Sequence, residues 1–134
     1  MIAILDYGVG NLKSIYNIFK KVGVDSIITS DIEVIKSANK YLLPGVGSFD
    51  HGINSLRNAP FFETLEIEIL QNKKPILGIC LGMQLLSNLS EEGKEKGLGW
   101  IDAKTVKFEL DDKSLSIPHM GWNKTNPTNT KDIY

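Results

Sequence analysis

An α/β fold, a mostly parallel sheet with helices on both faces, is predicted by three features of this 134-residue sequence. Short apolar runs without alternation recur at Ile2–Leu5, 41–43 and 76–79, the pattern of strands buried on both faces. Segments with apolar residues at helical spacing separate these runs. Glycine-bearing turns follow the strands, at the carboxyl ends where open parallel sheets gather their sites.

The bulk composition narrows the function classes. The length fits one domain with a single core. Hydrophobic content of 42% and charged content of 23% are ordinary for a soluble globular protein. A formal net charge of −1 gives no general electrostatic reason to expect a nucleic acid or a membrane as partner. One cysteine permits no internal disulfide, and a reducing cytoplasm is the expected compartment. Met1-Ile2-Ala3-Ile4-Leu5 has no basic flank and meets Asp6 at once, so it reads as a first strand and not as a signal peptide. No apolar run approaches membrane-spanning length.

In chain order, the first strand stops at Asp6-Tyr7-Gly8-Val9-Gly10-Asn11. Leu12, Ile15, Tyr16, Phe19 and Val22 then lie at helical spacing, and Gly23 stops the helix. Lys13 stands where a dinucleotide-binding fingerprint needs its third glycine, so that reading fails. Asn11 either caps the helix or faces a partner. A second strand is expected at Ser26–Thr29, a mildly helical stretch at 31–38, and a third strand at 41–43. Pro44-Gly45-Val46-Gly47 ends that strand, either as an ordinary exit loop or with main-chain amides turned towards a site. Residues 50–57 begin another helix with His51 on its surface, and Asn58-Ala59-Pro60 starts a crossover helix carrying Phe62, Leu65 and Ile69 inward. Residues 91–97 read as a solvated loop. From Lys104 the period drops to two: Val106, Phe108 and Leu110 alternate with charged residues, which predicts a half-buried strand. A turn at 111–114, a return strand at 115–117 and a further turn at 126–130 would complete an antiparallel extension of the sheet. The segment Pro118-His119-Met120-Gly121-Trp122-Asn123 is either core or a subunit interface.

The chemistry concentrates at Gly78-Ile79-Cys80-Leu81-Gly82. A buried strand switches there to a helix of strong helix formers, Leu81–Leu86, with the lone cysteine at the junction. This is the nucleophile-elbow pattern with sulfur in place of oxygen. The flanking glycines are expected to permit a sharp turn and to leave room for a substrate. A thiol at a helix N-terminus can have its pKa lowered to roughly 3.5–7.5, which favours the nucleophilic thiolate. The competing reading is a small buried hydrophobe. The amides of Gly47 and Leu81 are candidate donors to a developing oxyanion, and Gln84, one turn past Cys80, projects from the same helix face.

With these segments assembled, the chain resembles the class I (triad) glutamine amidotransferases, and within them the glutaminase subunits of imidazole glycerol phosphate synthases. Asp6-Tyr7-Gly8-Val9-Gly10-Asn11-Leu12, Pro44-Gly45-Val46-Gly47, the elbow through Gln84-Leu85, and Pro118-His119-Met120-Gly121-Trp122-Asn123 carry the resemblance. It implies a flavodoxin-like sheet with an antiparallel extension. It also implies glutamine hydrolysis through a Cys80 thioester, with Gly47 and Leu81 as oxyanion donors and Gly45, Gly47 and Gln84 holding substrate. Ammonia would pass to a (β/α)₈-barrel cyclase docked at Asn11, Met120 and Trp122, with no metal and no other cofactor. The family's catalytic histidine and glutamate lie in a C-terminal region beyond the matched stretch. Residues 1–134 are therefore expected to form a single domain lacking that part, inactive on its own. The alternatives are a paralogue supplying ammonia for a surface-sugar precursor, or a silent fragment that only docks on the cyclase.

Overall fold

Four parallel strands form the sheet on which everything else is placed: β1 (Ile2–Leu5), β2 (Ser26–Thr29), β3 (Lys40–Leu43) and β4 (Ile76–Gly78), in the order β2-β1-β3-β4. The structure is a computed structural model and describes residues 1–112, 116–124 and 126. The chain steps from β1 to β2 on one side, then returns past β1 to β3. Right-handed crossovers therefore put α1 (Leu12–Lys21) on one face, and α2 (Ile32–Ser37), α3 (Phe49–Arg57) and α4 (Phe62–Glu66) on the other.

The principal core lies on the second face, where Ala3, Leu5, Tyr41 and Leu43 of the sheet meet Ile35, Phe49, Ile53, Leu56, Phe61 and Leu65. Ile4 and Leu42 point the other way and are also buried. That face is covered less completely, because α1 has no buried residue and Leu77 in the edge strand β4 is 46% exposed. Capping follows the local sequence. The Asn11 side chain accepts from the Ser14 amide at 3.3 Å, and Asp31 accepts from the Glu33 and Val34 amides at 2.8 and 3.1 Å. Gly23, with φ +74°, takes the left-handed position past α1.

The crossover helix is not plain. After Glu66 it continues as a π-helical turn, Ile67–Gln71, which carries Glu68 into the interior. The Lys74 ammonium lies 2.6 Å from Glu68 Oε2, a buried oxygen that has no hydrogen-bond partner otherwise among the described residues. Lys74 Nζ also donates to the Lys36 carbonyl at 2.7 Å. The Lys74 hydrogen bond holds the Glu68 carboxyl below the usual carboxylate range, and the same contact pushes Lys74 up.

The antiparallel extension is corrected by the structure. A second sheet exists, but its strands β5 (Leu89–Ser90) and β6 (Lys104–Thr105) run parallel. Among the described residues the only antiparallel contact outside named strands is a lone bridge between Leu89 and Lys96. Residues 106–110 form no strand, and Val106, Phe108 and Leu110 are all exposed. Alternation guarantees an apolar face but supplies neither an edge to pair with nor a layer to cover it. The return strand at 115–117 and the turn at 126–130 fall partly outside the described residues, and 116–117 carry no strand.

Candidate active site

β4 ends at Gly78, and α5 (Leu81–Leu86) begins three residues later, with Cys80 between them at φ +54°, ψ −118°. A non-glycine residue at positive φ is strained, so the strain of the elbow sits on the cysteine itself. The sequence assigned that conformational task to the flanking glycines, and the structure gives them another. A Cβ on Gly82 would overlap the Leu43 carbonyl oxygen, and one on Gly78 would lie 2.6 Å from Met83 Cα. They are needed for close approach of backbones. Gly45 has the same role from the opposite side: its Cβ would lie 2.6 Å from the Gly82 nitrogen and 2.7 Å from Leu81 Cβ. The Pro44-Gly45 loop is thus pressed against the start of α5, and the Ile79 amide donates to the Leu43 carbonyl at 3.0 Å to hold it there.

The β1 exit loop braces the same loop. The Tyr7 hydroxyl donates to the Pro44 carbonyl, and a Cβ on Gly10 would touch the Pro44 ring at 3.2 Å. Burial pushes the Tyr7 phenol well up, which keeps it a donor. Gly47 takes φ +105° with nothing within 4 Å of its missing Cβ, so the loop is anchored at Gly45 and open at Gly47. Among the described residues neither the Gly47 nor the Leu81 amide donates to a partner.

Cys80 is exposed and lines a cavity of about 1070 Å³ together with Met83, Gln84, Ser90, Phe108 and His119. The buried-hydrophobe reading of the cysteine is therefore excluded. Gln84 stands one turn from Cys80, and its Oε1 accepts from the Ser90 hydroxyl at 3.2 Å. The following loop is anchored more firmly than a solvated loop requires. Asp50 Oδ1 accepts from the amides of Lys94 and Glu95 at 2.8 and 3.0 Å, and Arg57 donates to the Gly97 carbonyl at 3.2 Å. Glu91 Oε2 accepts from the Lys107 amide at 2.8 Å, which brings the 106–108 segment over the cavity.

Other predicted positions fall as follows. Gly45 abuts the elbow, whereas Gly47 lies outside the cavity wall that Cys80 and Gln84 share. Met120 is 87% and Trp122 104% exposed, so the segment is surface and not core. Asn11 caps α1 and is itself exposed. His51 is exposed on α3. His119, assigned from sequence to an interface segment, lines the same cavity as Cys80, with Nε2 2.7 Å from Asn123 Nδ2. Among the described residues no group of three or more His, Cys, Asp or Glu converges as a metal would require, and no helix is long and apolar enough to cross a membrane. Sequence reasoning missed Ser90 and Asp50. Asp50 stands on the polar side of the amphipathic helix α3 and Ser90 in a short polar segment, and only their partners' positions mark them out.

Comparison with known proteins places these features in context. The family model described as "Glutamine amidotransferase class-I" matches residues 3–132. The chain is similar to imidazole glycerol phosphate synthase subunit HisH 2 of Methanococcus maripaludis, 58% identical over 123 residues, covering 92% of this chain and 60% of that protein. It is similar to subunit HisH 2 of Pseudomonas aeruginosa, 46% identical over 127 residues, covering 95% and 62% respectively. Subunit HisH of Leptospira borgpetersenii is 46% identical over 130 residues, covering 96% and 64%. The chain thus spans between 60% and 64% of the length of these three relatives.

Proposed function

The chain belongs to the class-I glutamine amidotransferases, and from that membership we propose that it is the nucleophile-bearing domain of a glutaminase subunit of imidazole glycerol phosphate synthase, acting in histidine biosynthesis. The observation that carries this reading is a strained, solvent-accessible Cys80 at a strand-to-helix junction, opening on a cavity that Gln84 also lines. The names of the relatives, subunits of imidazole glycerol phosphate synthase, support the choice of synthase.

In the proposed reaction the Cys80 thiolate attacks the side-chain amide carbon of glutamine. The carbon–nitrogen bond breaks, the nitrogen takes up a proton and leaves as ammonia, and a γ-glutamyl thioester remains. Water then attacks the thioester, releasing glutamate and returning the thiol. The Leu81 amide, free of any partner among the described residues, is proposed as one oxyanion donor and the Gly47 amide as the second. Gly45 keeps their loop against the elbow, and Gln84 and the 45–47 loop hold the substrate. Ammonia is delivered to a (β/α)₈-barrel cyclase in a cytoplasmic heterodimer, and Asn11, Met120 and Trp122, all exposed, are proposed for its docking.

The test uses the subunit that carries this domain, bound to its cyclase. Cys80→Ala is expected to abolish synthesis from glutamine and to leave synthesis from ammonium salts intact. Survival of both routes would remove Cys80 from the nucleophile's role.

A further inference from the structure

We propose that Asp50 is a positioning residue: it clamps the 90–93 turn, the cavity wall that carries Glu91 and Glu92, onto the helix that continues the 44–47 loop, and so fixes where that wall stands relative to Cys80. The inference rests on the amidotransferase reading of the cavity. Asp50 stands in the first turn of α3, just past Gly47. Its Oδ1 accepts from the Lys94 and Glu95 amides at 2.8 and 3.0 Å, far along the chain. Two hydrogen bonds to one charged oxygen hold a backbone segment more firmly than neutral contacts do. Gly93 lets that segment come so close, since a Cβ there would overlap Asp50 Oδ1.

The clamp reaches the cavity because the turn is rigid. The Gly93 amide donates to the Ser90 carbonyl at 3.2 Å and the Glu92 amide to the Ser90 hydroxyl at 3.2 Å, so residues 90–93 move as one piece. On the other side the Glu91 amide donates to the Thr105 carbonyl at 3.0 Å, and Glu91 Oε2 accepts from the Lys107 amide at 2.8 Å. The turn is therefore hinged on the β5–β6 edge and stopped by Asp50. Without that stop it swings about the hinge and carries Ser90, Glu91 and Glu92, which line the cavity with Cys80, away from their places. Asp50 is not among the lining residues and acts only through the turn. A second tie from α3 gives an internal reference. Arg57, on the same helix face as Asp50, donates to the Gly97 carbonyl at 3.2 Å. Gly97 is buried and its amide already donates to the Asn88 carbonyl at 2.9 Å, so this tie holds the far end of the loop and not the wall.

The test labels Cys80 in this chain with a chloroketone analogue of L-glutamine, where thiolate attack on the chloromethyl carbon expels chloride, beside iodoacetamide as a reagent without the amino-acid end. Asp50→Ala is expected to raise the half-saturating concentration of the chloroketone about tenfold and to leave the iodoacetamide rate unchanged, because the elbow keeps its contacts. Asp50→Asn, which keeps an acceptor oxygen without the charge, is expected to stay within about threefold of wild type. Arg57→Ala is expected to lower the urea midpoint without changing the half-saturation. Should Asp50→Ala not fold, Gly93→Ala tests the same contact from the other side: its methyl forces the turn off Asp50, and the same tenfold rise, to within about a factor of two, is expected. An unchanged half-saturation in Asp50→Ala, or in Gly93→Ala where it stands in, would overturn the clamp alone. A loss in Asp50→Asn as large as in Asp50→Ala would also overturn it, by showing that the charge acts on the ligand. So would an equal loss in Arg57→Ala, by showing general loosening. Wild-type labelling that never saturates would overturn it together with the amidotransferase reading.

Discussion

At the scale of single residues, Cys80 is held in a backbone conformation that its own side chain disfavours, with φ +54°. Such conformations cost about 1–3 kcal/mol and persist where surrounding contacts impose them. Glycine tolerates positive φ but loses about 0.5–1 kcal/mol to its greater freedom in the unfolded chain. Cys80→Gly is therefore expected to stabilise the fold by about 1 kcal/mol in urea denaturation while removing the thiol. A loss of stability would mean that the elbow stores no strain. The position of the cysteine was legible in Gly78-Ile79-Cys80-Leu81-Gly82; the location of the strain was not, since a motif gives residue types and no dihedral angles. The glycines looked permissive in sequence and proved to be contact residues, because Leu43 and Met83, which crowd them, are brought there by the sheet and by α5.

Between elements, the contact of the β3 exit loop with α5 decides whether the site assembles. Gly82 lies against the Leu43 carbonyl so closely that a methyl group would overlap it. Gly82→Ala should destabilise the protein by about 2–3 kcal/mol, read from the urea midpoint at constant m-value, whereas a neutral result would show the loop free to withdraw. The π turn after α4 supports a second prediction. Glu68 has its folded pKa lowered by the Lys74 hydrogen bond. Its contribution to stability is present above the unfolded carboxyl pKa of about 4.3 and is lost as pH falls through the lower folded value. Lys74 has its pKa raised by the same contact, so its contribution is present below its unfolded pKa of about 10.4 and is lost as pH rises through the folded one. Thermal unfolding measured from pH 6 to 3 should show Tm falling through the acid window, and Glu68→Gln should flatten that fall. Strands β1 and β3 were readable because their apolar runs are buried in the sheet, and helix α1 because Leu12, Ile15 and Phe19 at helical spacing are its partly buried positions. Residues 106–110 were misread because their alternation states only what a strand would bury, and no partner is present among the described residues to bury it against.

Over the whole molecule, one face of the sheet is better sealed than the other. Leu77 and Ile79 at β4, and Phe108, Met120 and Trp122 elsewhere in the chain, leave large apolar side chains in water, and among the described residues β4 is an edge strand. Unpaired edges and apolar patches drive association. Sedimentation velocity at rising concentration should show this chain self-associating, and Leu77→Lys on the edge strand should shift it towards monomer. A concentration-independent monomer in both forms would show that the face is not adhesive. The same global arrangement makes the site: two loops from adjacent strand ends meet at α5, and the 90–108 region closes the cavity over Cys80. That closure was not legible in the sequence, because it depends on Asp50 and Glu91 anchoring backbone amides far along the chain. The proposed glutaminase activity requires Cys80 to be a nucleophile for glutamine. Mass spectrometry of the chain treated with the chloroketone glutamine analogue, in the presence and absence of L-glutamine, tests this most directly. A single adduct on the Cys80 peptide that L-glutamine suppresses is expected, and labelling that L-glutamine leaves unchanged would contradict the nucleophile's role.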